Sequence, residues 1–148
     1  MLRAFAKTGL LDLTARAESG FYRNDALGEA IGLALNSALK DRSGIRRYGS
    51  AAVPMDEALA EVALDFSGRP SLVFAGKLKS ERIGDFEVQG IRPFLEALAN
   101  GARLTLHIRF YGENDHHQME SIFKALGLAV RQAASKEGEG IPSTKGVI

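Results

Sequence analysis

The sequence predicts an α+β protein that contains an internal repeat, and three patterns support this. Residues 26–39 and 116–134 carry apolar side chains at the spacing of an amphipathic helix. Residues 103–111 alternate apolar and polar side chains with the period of two that is typical of a half-buried strand. The order of helix, alternating strand and long helix occurs twice along the chain, which indicates a duplicated unit.

The first copy of this unit lies at the start of the chain. Residues 2–7 are expected to form the end of a helix that stops at Gly9. Residues 11–17 alternate with a period of two and predict a strand. The long helix that follows carries Gly28 and Gly32 on one stripe. Such a stripe favours the close approach of another element over a phosphate-binding loop.

The middle of the chain predicts strands after a break at residues 43–44. Apolar runs over residues 62–66 and 71–75 flank a turn that contains glycine and proline, which indicates two strands. Residues 54–57 resemble a helix start, so residues 58–63 fit either a helix or a strand.

The second copy of the unit begins with a short helix over residues 91–99 and continues through the alternating strand and the second long helix. In this repeat, residues 31–35 align with residues 126–130, and residues 11–13 align with residues 104–106. The tail that follows is rich in glycine and lysine and shows no core signal.

Length and charge restrict the class of protein. With 148 residues, the chain is expected to form a single domain over residues 1–148, with repeat halves of about 1–42 and 43–148. Its 19 basic and 18 acidic residues give a formal net charge of +1, which disfavours nucleic acid as a partner.

The absence of cysteine excludes disulfides, thiolate nucleophiles and cysteine-type zinc sites. No stretch approaches the length of apolar sequence that spans a bilayer, and charge interrupts the first residues too early for a signal peptide. We therefore expect a soluble cytoplasmic protein without a membrane partner.

All three histidines of the chain lie near one carboxylate in its last third. If a helix begins at Asp115, a natural N-cap, then His116 and His117 are four and three residues before Glu120 and share helix faces with it. His107 lies on the adjacent predicted strand. Imidazole and carboxylate together suit manganese, iron, zinc or nickel, and they disfavour calcium.

Two interpretations of this cluster remain. Adjacent histidines on a helix diverge by about 100°, so they serve two metal ions or two subunits more readily than one ion. The alternative is a solvated helix start that binds nothing, although Glu120 in register and His107 nearby favour the metal site. The repeat makes such a centre asymmetric within the chain. The first-copy residues opposite His107, His116, His117 and Glu120 are Thr14, Phe21, Tyr22 and Asp25.

Several motifs occur in order over nearly the whole chain. They are Gly44-Ile45-Arg46-Arg47-Tyr48-Gly49, Pro54-Met55-Asp56-Glu57-Ala58-Leu59, Leu64-Asp65-Phe66-Ser67-Gly68-Arg69-Pro70, Leu106-His107-Ile108, the stretch 114–120, Phe123-Lys124-Ala125 and Pro142-Ser143-Thr144-Lys145-Gly146. Together they resemble the imidazoleglycerol-phosphate dehydratase family, the hydro-lyases of histidine biosynthesis.

The resemblance implies a fold, an assembly and a reaction. The fold is a duplication of β-β-α-β-α halves with helices packed between sheets, and the subunits form a symmetric homo-oligomer with sites between them. The reaction is the dehydration of imidazole glycerol phosphate to imidazole acetol phosphate. The family holds a pair of manganese ions on His-His-x-x-Glu motifs from both halves and on further histidines.

Residue by residue, the resemblance implies metal ligands and substrate-binding residues in this chain. The implied metal ligands are His107, His116, His117 and Glu120, of which His117 and Glu120 are also the implied catalytic residues. The residues implied to bind imidazole glycerol phosphate or a similar phosphorylated small molecule are Arg47, Arg69, Lys124, Ser143, Thr144 and Lys145.

The chain also departs from the family pattern. The first half has no counterpart of the family's first two strands or of a histidine ligand that precedes the position of Met1. Residues 21–25 stand where the family has its other His-His-x-x-Glu motif. Half of the family's metal ligands are therefore absent from this chain, which leaves room for one manganese ion or none. The resemblance thus has an alternative, a catalytically impaired or inactive relative that retains the fold and self-assembly.

Overall fold

The structure is a computed structural model that describes residues 1–16, 24–146 and 148. It contains four helices in the described ranges, which are α1 (Leu2–Gly9), α2 (Asn24–Leu39), α3 (Ile91–Ala102) and α4 (Asp115–Ala134). The strands are β1 (Tyr48–Met55), β2 (Ala58–Asp65), β3 (Ser71–Ala75), β4 (Arg82–Ile83), β5 (Phe86–Glu87) and β6 (Thr105–Tyr111). These elements confirm the α+β class and all four predicted helices.

Four of the strands form one mixed sheet in the order β1, β2, β6, β3. Strands β1, β2 and β6 are antiparallel neighbours, whereas β3 runs parallel to β6. Helices α3 and α4 pack on one face of this sheet. Alternate residues of β2 and β6, such as Val62, Leu64, Leu106 and Ile108, are buried against them. The opposite face of the sheet carries no element of the described chain, and side chains on it reach solvent.

Helix packing follows the predicted repeat. Helix α2 packs on α3, and α1 packs on α4, so each helix of the first half contacts one of the second. The aligned glycines Gly32 and Gly127 lie at these two contacts, against the backbones of α3 and α1 respectively. Both α1 and α3 end in a left-handed residue, Leu10 with φ 52° and Arg103 with φ 51°. Close helix packing is thus confirmed as the role of the glycine stripe.

Substitution of Gly32 by alanine is expected to destabilise the fold. An added Cβ would lie 2.5 Å from the carbonyl oxygen of Leu98 and 2.7 Å from the amide nitrogen of Ala102, both of them backbone atoms. Overpacking of this kind costs about 1–3 kcal/mol of unfolding free energy. Urea denaturation measures the loss. The matched control is Gly138→Ala, since no atom lies within 4 Å of a Cβ at that position. Equal stability of both variants would contradict the packing role.

The predicted strand at residues 11–17 and the apparent helix start at residues 54–57 are not found. Residues 11–16 form no strand, although Leu11 and Leu13 alternate in burial with exposed neighbours; residue 17 lies outside the described residues. The described part of the first half contains no second strand whose backbone could pair with this segment. The apparent helix start at residues 54–57 is also wrong. Asp56 and Glu57 instead form a hairpin turn, because β1 pairs with β2 along its whole length up to Met55 and Ala58.

The described chain contains no second large sheet, so the helices are covered by a sheet on one side only. The predicted repeat boundary between residues 42 and 43 stays a prediction. None of the helices in the described ranges is both long and apolar enough to cross a membrane.

A buried arginine, Arg42, joins the two halves, and its burial was not predicted from the sequence. Its side chain is 4% exposed. The guanidinium donates to the carbonyl oxygens of Phe66 and Ala102 at 3.0 Å each, and to Asn36 Oδ1 at 2.7 Å. Burial lowers the pKa of Arg42 from its ordinary value, and the nearby charge of Arg103 lowers it further. The bonds to carbonyl oxygens offset the cost of burying this charge.

Replacement of Arg42 by methionine is expected to lower the free energy of unfolding by about 2–4 kcal/mol, because buried carbonyl oxygens lose their donors. Thermal and urea denaturation measure this effect. Arg46→Met serves as the control, since Arg46 is half exposed and its side chain pairs with the equally exposed Glu137. The role assigned to Arg42 is wrong if the two variants unfold alike.

Candidate functional site

The histidine pair lies in the first turn of α4, whose start is fixed by two neighbouring side chains. The N-cap is Asn114 and not Asp115 as predicted, since Asn114 Oδ1 accepts from the backbone N–H of His116 at 2.9 Å and of His117 at 3.3 Å. Asp115 is buried and accepts from the N–H groups of Lys79 and Ser80. Burial would raise the pKa of Asp115, but these bonds outweigh it and lower the pKa.

Glu120 forms the centre of a three-residue row along α4. Its Oε2 lies 3.3 Å from His116 Nε2, and its Oε1 lies 2.9 Å from Lys124 Nζ. The predicted register of His116 with Glu120 is therefore confirmed. The bond from Lys124 holds the pKa of Glu120 below its ordinary value against the effect of burial, and His116 adds to the lowering. Glu120 is therefore a carboxylate at neutral pH.

His117 turns toward a different carboxylate, on the hairpin between β1 and β2. Its Nδ1 lies 2.9 Å from Glu57 Oε2 and 3.7 Å from Asp56 Oδ2. The hydrogen bond with His117 is the largest cause that lowers the pKa of Glu57, to about 2, and the same bond raises the pKa of His117. Sequence spacing missed this contact, because Glu57 and His117 are far apart along the chain.

His107 lies apart from the other histidines. It is exposed on the sheet face opposite the helices, in register with Ala63 and Val73 of the flanking strands. It lines a shallow cavity of about 580 Å³ together with Glu61 and Arg109. Within the described residues, no three histidine or carboxylate groups are arranged to hold a metal ion. The ligand assignments of all four residues therefore stay predictions.

A second cavity, of about 570 Å³, gathers five of the six residues implied to bind substrate. Lys124 is the exception, because it lies on α4 beside Glu120. Two arginines, a lysine and two hydroxyl side chains thus surround one space, although the sequence separates them widely. The lining residues are Arg47, Tyr48, Ser67, Arg69, Pro142, Ser143, Thr144 and Lys145.

Arg47 builds one wall of this cavity. Its Nε and Nη2 donate to the two carboxylate oxygens of Asp65 at 2.7 and 3.0 Å, and its Nη1 donates to the carbonyl oxygen of Pro142 at 2.9 Å. The bond with Asp65 raises the pKa of Arg47. The guanidinium also lies over the Tyr48 ring, 4.8 Å from its centroid. Asp65 is a further residue that sequence reasoning did not assign to the site.

Arg69 has a fixed backbone and an exposed side chain. Its N–H donates to Ser67 Oγ at 3.1 Å, and its carbonyl oxygen accepts from the hydroxyls of Ser67 and Thr105 at 3.0 and 3.1 Å. Lys145 is likewise exposed on the other side of the cavity. The cavity therefore presents cationic side chains to solvent.

The tail that completes the cavity is held by its backbone. Glu137 donates its N–H to the carbonyl oxygen of Gly44 at 2.9 Å, and Arg47 Nη1 donates to the carbonyl oxygen of Pro142. Gly44 donates to Gly140 at 2.6 Å. Hydrophobic patterning gave no signal for this segment, because the contacts that fix it are mostly backbone hydrogen bonds.

The residues opposite the histidine pair in the first half are only partly described. Phe21, Tyr22 and Arg23 lie outside the described residues. Asp25 lies in the first turn of α2, whereas Glu120, which the predicted repeat aligns with it, lies in the second turn of α4.

Comparison with known proteins identifies the family. The model of the imidazoleglycerol-phosphate dehydratase family matches residues 1–130. Curated imidazoleglycerol-phosphate dehydratases from Methanocella arvoryzae and Moorella thermoacetica are 46% and 47% identical to the chain over 154 and 156 aligned residues. Each of these alignments covers all of this chain and 80% of the relative.

Solved structures agree with the sequence comparison. The crystal structure of imidazoleglycerol-phosphate dehydratase from Staphylococcus aureus matches with a TM-score of 0.87 and 37% identity, over 92% of this chain and 80% of that one. The Pyrococcus furiosus protein, solved in complex with (S)-C348, matches with a TM-score of 0.78 and 34% identity, over 99% and 83% of the two chains. The chain belongs to the imidazoleglycerol-phosphate dehydratase family.

Proposed function

We propose that this chain dehydrates imidazole glycerol phosphate to imidazole acetol phosphate, as a hydro-lyase of histidine biosynthesis. The observation that carries the proposal is the convergence of Arg47, Arg69, Ser143, Thr144 and Lys145 on one cavity. Guanidinium, ammonium and hydroxyl groups are the donors that bind a phosphate by charge-assisted hydrogen bonds. The cavity beside His107 contains none of the residues that the family resemblance implied to bind substrate.

The cationic residues of this cavity differ in how far their charges are already engaged by other groups of the chain. Three of the N–H groups of Arg47 already bond to Asp65 and Pro142. Arg69 and Lys145 make no ion pair within the described residues, so their charges are available to a phosphate. Arg47 thus shapes the wall, and Arg69 and Lys145 supply most of the attraction.

The donor set at the start of α4 suits manganese. His116 and Glu120 bring an imidazole nitrogen and a carboxylate oxygen within 3.3 Å of each other, and both donor types bind manganese. Bound manganese would supply Lewis acidity toward the imidazole ring of the substrate. His116, His117 and Glu120 of one chain, with His107, are the residues proposed to hold it.

Glu120 and His117 are the proposed catalytic residues. Glu120 is ionised and so accepts a proton at a carboxylate oxygen, while Lys124 holds that carboxylate in place. His117 has its Nδ1 engaged by Glu57, so its part is to hold the reacting centre through Nε2. Loss of the proton next to the imidazole ring and departure of the hydroxyl as water are the two events that these groups assist.

We also propose that the working form is a homo-oligomer. His107 lies on the open face of the sheet, whereas the other three proposed ligands lie at the start of a helix packed on the opposite face. One chain therefore does not bring the four together, and a second copy would. Closed symmetric assembly also covers the open sheet face.

The test combines metal content with turnover. The gel-filtered protein is loaded with manganese, freed of excess metal, and analysed for manganese per chain and for formation of imidazole acetol phosphate. We expect retained manganese, and product that disappears after treatment with a chelator. Manganese without turnover would contradict the dehydratase activity, whereas turnover without retained manganese would contradict the metal site.

A further inference from the structure

Glu57 connects the hairpin turn between β1 and β2 to the start of α4 through a single carboxylate. Its Oε1 accepts from the backbone N–H groups of Glu113 and Asn114 at 3.1 and 2.7 Å. Its Oε2 lies 2.9 Å from His117 Nδ1. The neighbouring Asp56 has a side chain that is 76% exposed, and its nearest oxygen lies farther from the same nitrogen, at 3.7 Å.

This arrangement determines which ring nitrogen of neutral His117 carries the hydrogen. An ionised carboxylate only accepts hydrogen bonds, so the hydrogen between the two groups lies on Nδ1. A neutral imidazole has one N–H group, and Nε2 is then a lone-pair donor. In the described part of the chain, no group hydrogen-bonds to Nε2, and the side chain is 24% exposed.

We infer that Glu57 is a positioning residue that fixes His117 in the Nδ1–H tautomer and so presents Nε2 to a metal ion or substrate. Carboxylates that orient a histidine through its other ring nitrogen are a general feature of metal sites. The identity of what Nε2 binds rests on the proposed function. The tautomer itself rests only on the contacts of Glu57.

The variant Glu57→Gln separates this role from mere anchoring of the helix. The amide oxygen of the glutamine takes the place of Oε1 and still accepts from the N–H groups of Glu113 and Asn114. The opposite orientation is unfavourable, because the amide NH₂ group would then face two backbone N–H donors. The amide nitrogen then faces His117 and donates to Nδ1. The helix start is kept, but the ring hydrogen is driven to Nε2.

Nuclear magnetic resonance of ¹⁵N-labelled histidine tests the tautomer directly. The chain has only three histidines, and His107 and His116 serve as internal references. At about pH 9, above the ordinary histidine pKa of about 6.5, we expect the Nδ1–H tautomer of His117 in the parent protein. Glu57→Gln should change His117 to the Nε2–H tautomer and leave the other two rings unchanged.

Manganese affinity, measured by calorimetry, is the second readout. We expect Glu57→Gln to weaken binding about 10- to 100-fold, the usual effect of losing such a partner. Asp56→Asn is the matched control, because it makes the same charge change in the same turn, and asparagine tolerates the positive φ of 49° at that position. It should change neither the tautomer nor the affinity.

Two results would overturn the inference. One is an Nε2–H tautomer of His117 in the parent protein, and the other is a Glu57→Gln variant that matches Asp56→Asn in tautomer and affinity. Neither readout requires turnover. A protein that shows the expected tautomer but dehydrates nothing would overturn the proposed function and support the role of Glu57.

Discussion

Replacement of Arg69 by methionine is expected to lower kcat/KM for imidazole glycerol phosphate by roughly 100-fold, because it removes one charge-assisted clamp on the phosphate. Methionine keeps an unbranched side chain of similar reach. The backbone of residue 69 is held by Ser67 and Thr105, so the cavity frame should survive the change. Steady-state kinetics over a range of substrate concentrations measure the effect.

A substrate without the phosphate isolates this contact. With imidazole glycerol, the parent protein and Arg69→Met should react at the same low rate, since neither has a phosphate to bind. The control variant is Arg92→Met, which removes an exposed arginine that pairs with Glu96 on α3, outside the residues that line the cavity. A kcat/KM for Arg69→Met equal to that of Arg92→Met would show that the phosphate binds elsewhere.

Glu120→Gln should weaken manganese binding by more than about 100-fold. Loss of an outer-shell partner of a metal site costs up to about 100-fold, and loss of a direct ligand should cost more. The substitution keeps an oxygen but removes the negative charge that faces His116 and Lys124. Dehydration should fall with the affinity. Calorimetric titration with manganese checks the first effect, and product formation at saturating metal checks the second.

A second glutamate provides the comparison for this variant. Glu96 also forms a pair four residues apart on a helix, with Arg92, and is exposed. Glu96→Gln should bind manganese like the parent protein. If both variants keep full affinity, Glu120 is not a ligand, and the ion, if bound, uses other groups.

Helices were predicted well because their signal is local. The stripe of apolar residues in α4, for example, is determined by neighbours within a few positions. Gly28 and Gly32 were also interpreted correctly, since a glycine stripe on a helix has few other causes. The sequence therefore predicted the helical half of the core, although with end residues shifted by a few positions.

Strands and contacts between distant residues were harder to predict. Strand β1 contains glycine, serine, alanine and proline and lacks a clear alternating pattern, so its pairing with β2 determines its structure. Leu11 and Leu13 show the reverse case, a good pattern that has no partner strand in the described part of the chain. A strand forms only where a second strand pairs with it, and the periodicity of one segment carries no information about its partner.

In the candidate sites too, contacts between neighbouring residues were predicted and contacts between distant residues were not. The spacing of His116 and Glu120 was enough to bring them together on one helix turn. The cavity around Arg47 was inferred from family resemblance and not from spacing, because its walls come from distant parts of the chain. Glu57 and Asp65 were not assigned at all, since only the hairpin and the sheet bring them to His117 and Arg47.

The bond between Arg47 and the carbonyl oxygen of Pro142 links ligand capture to the docking of the tail. Only molecules with residues 142–145 in place have a complete cavity, so the apparent dissociation constant equals the intrinsic one divided by the docked fraction. By reciprocity, a bound phosphate must hold the tail in place with the same coupling free energy. On the proposed function, sequence changes that weaken this docking should therefore weaken phosphate binding without altering any group that touches the phosphate.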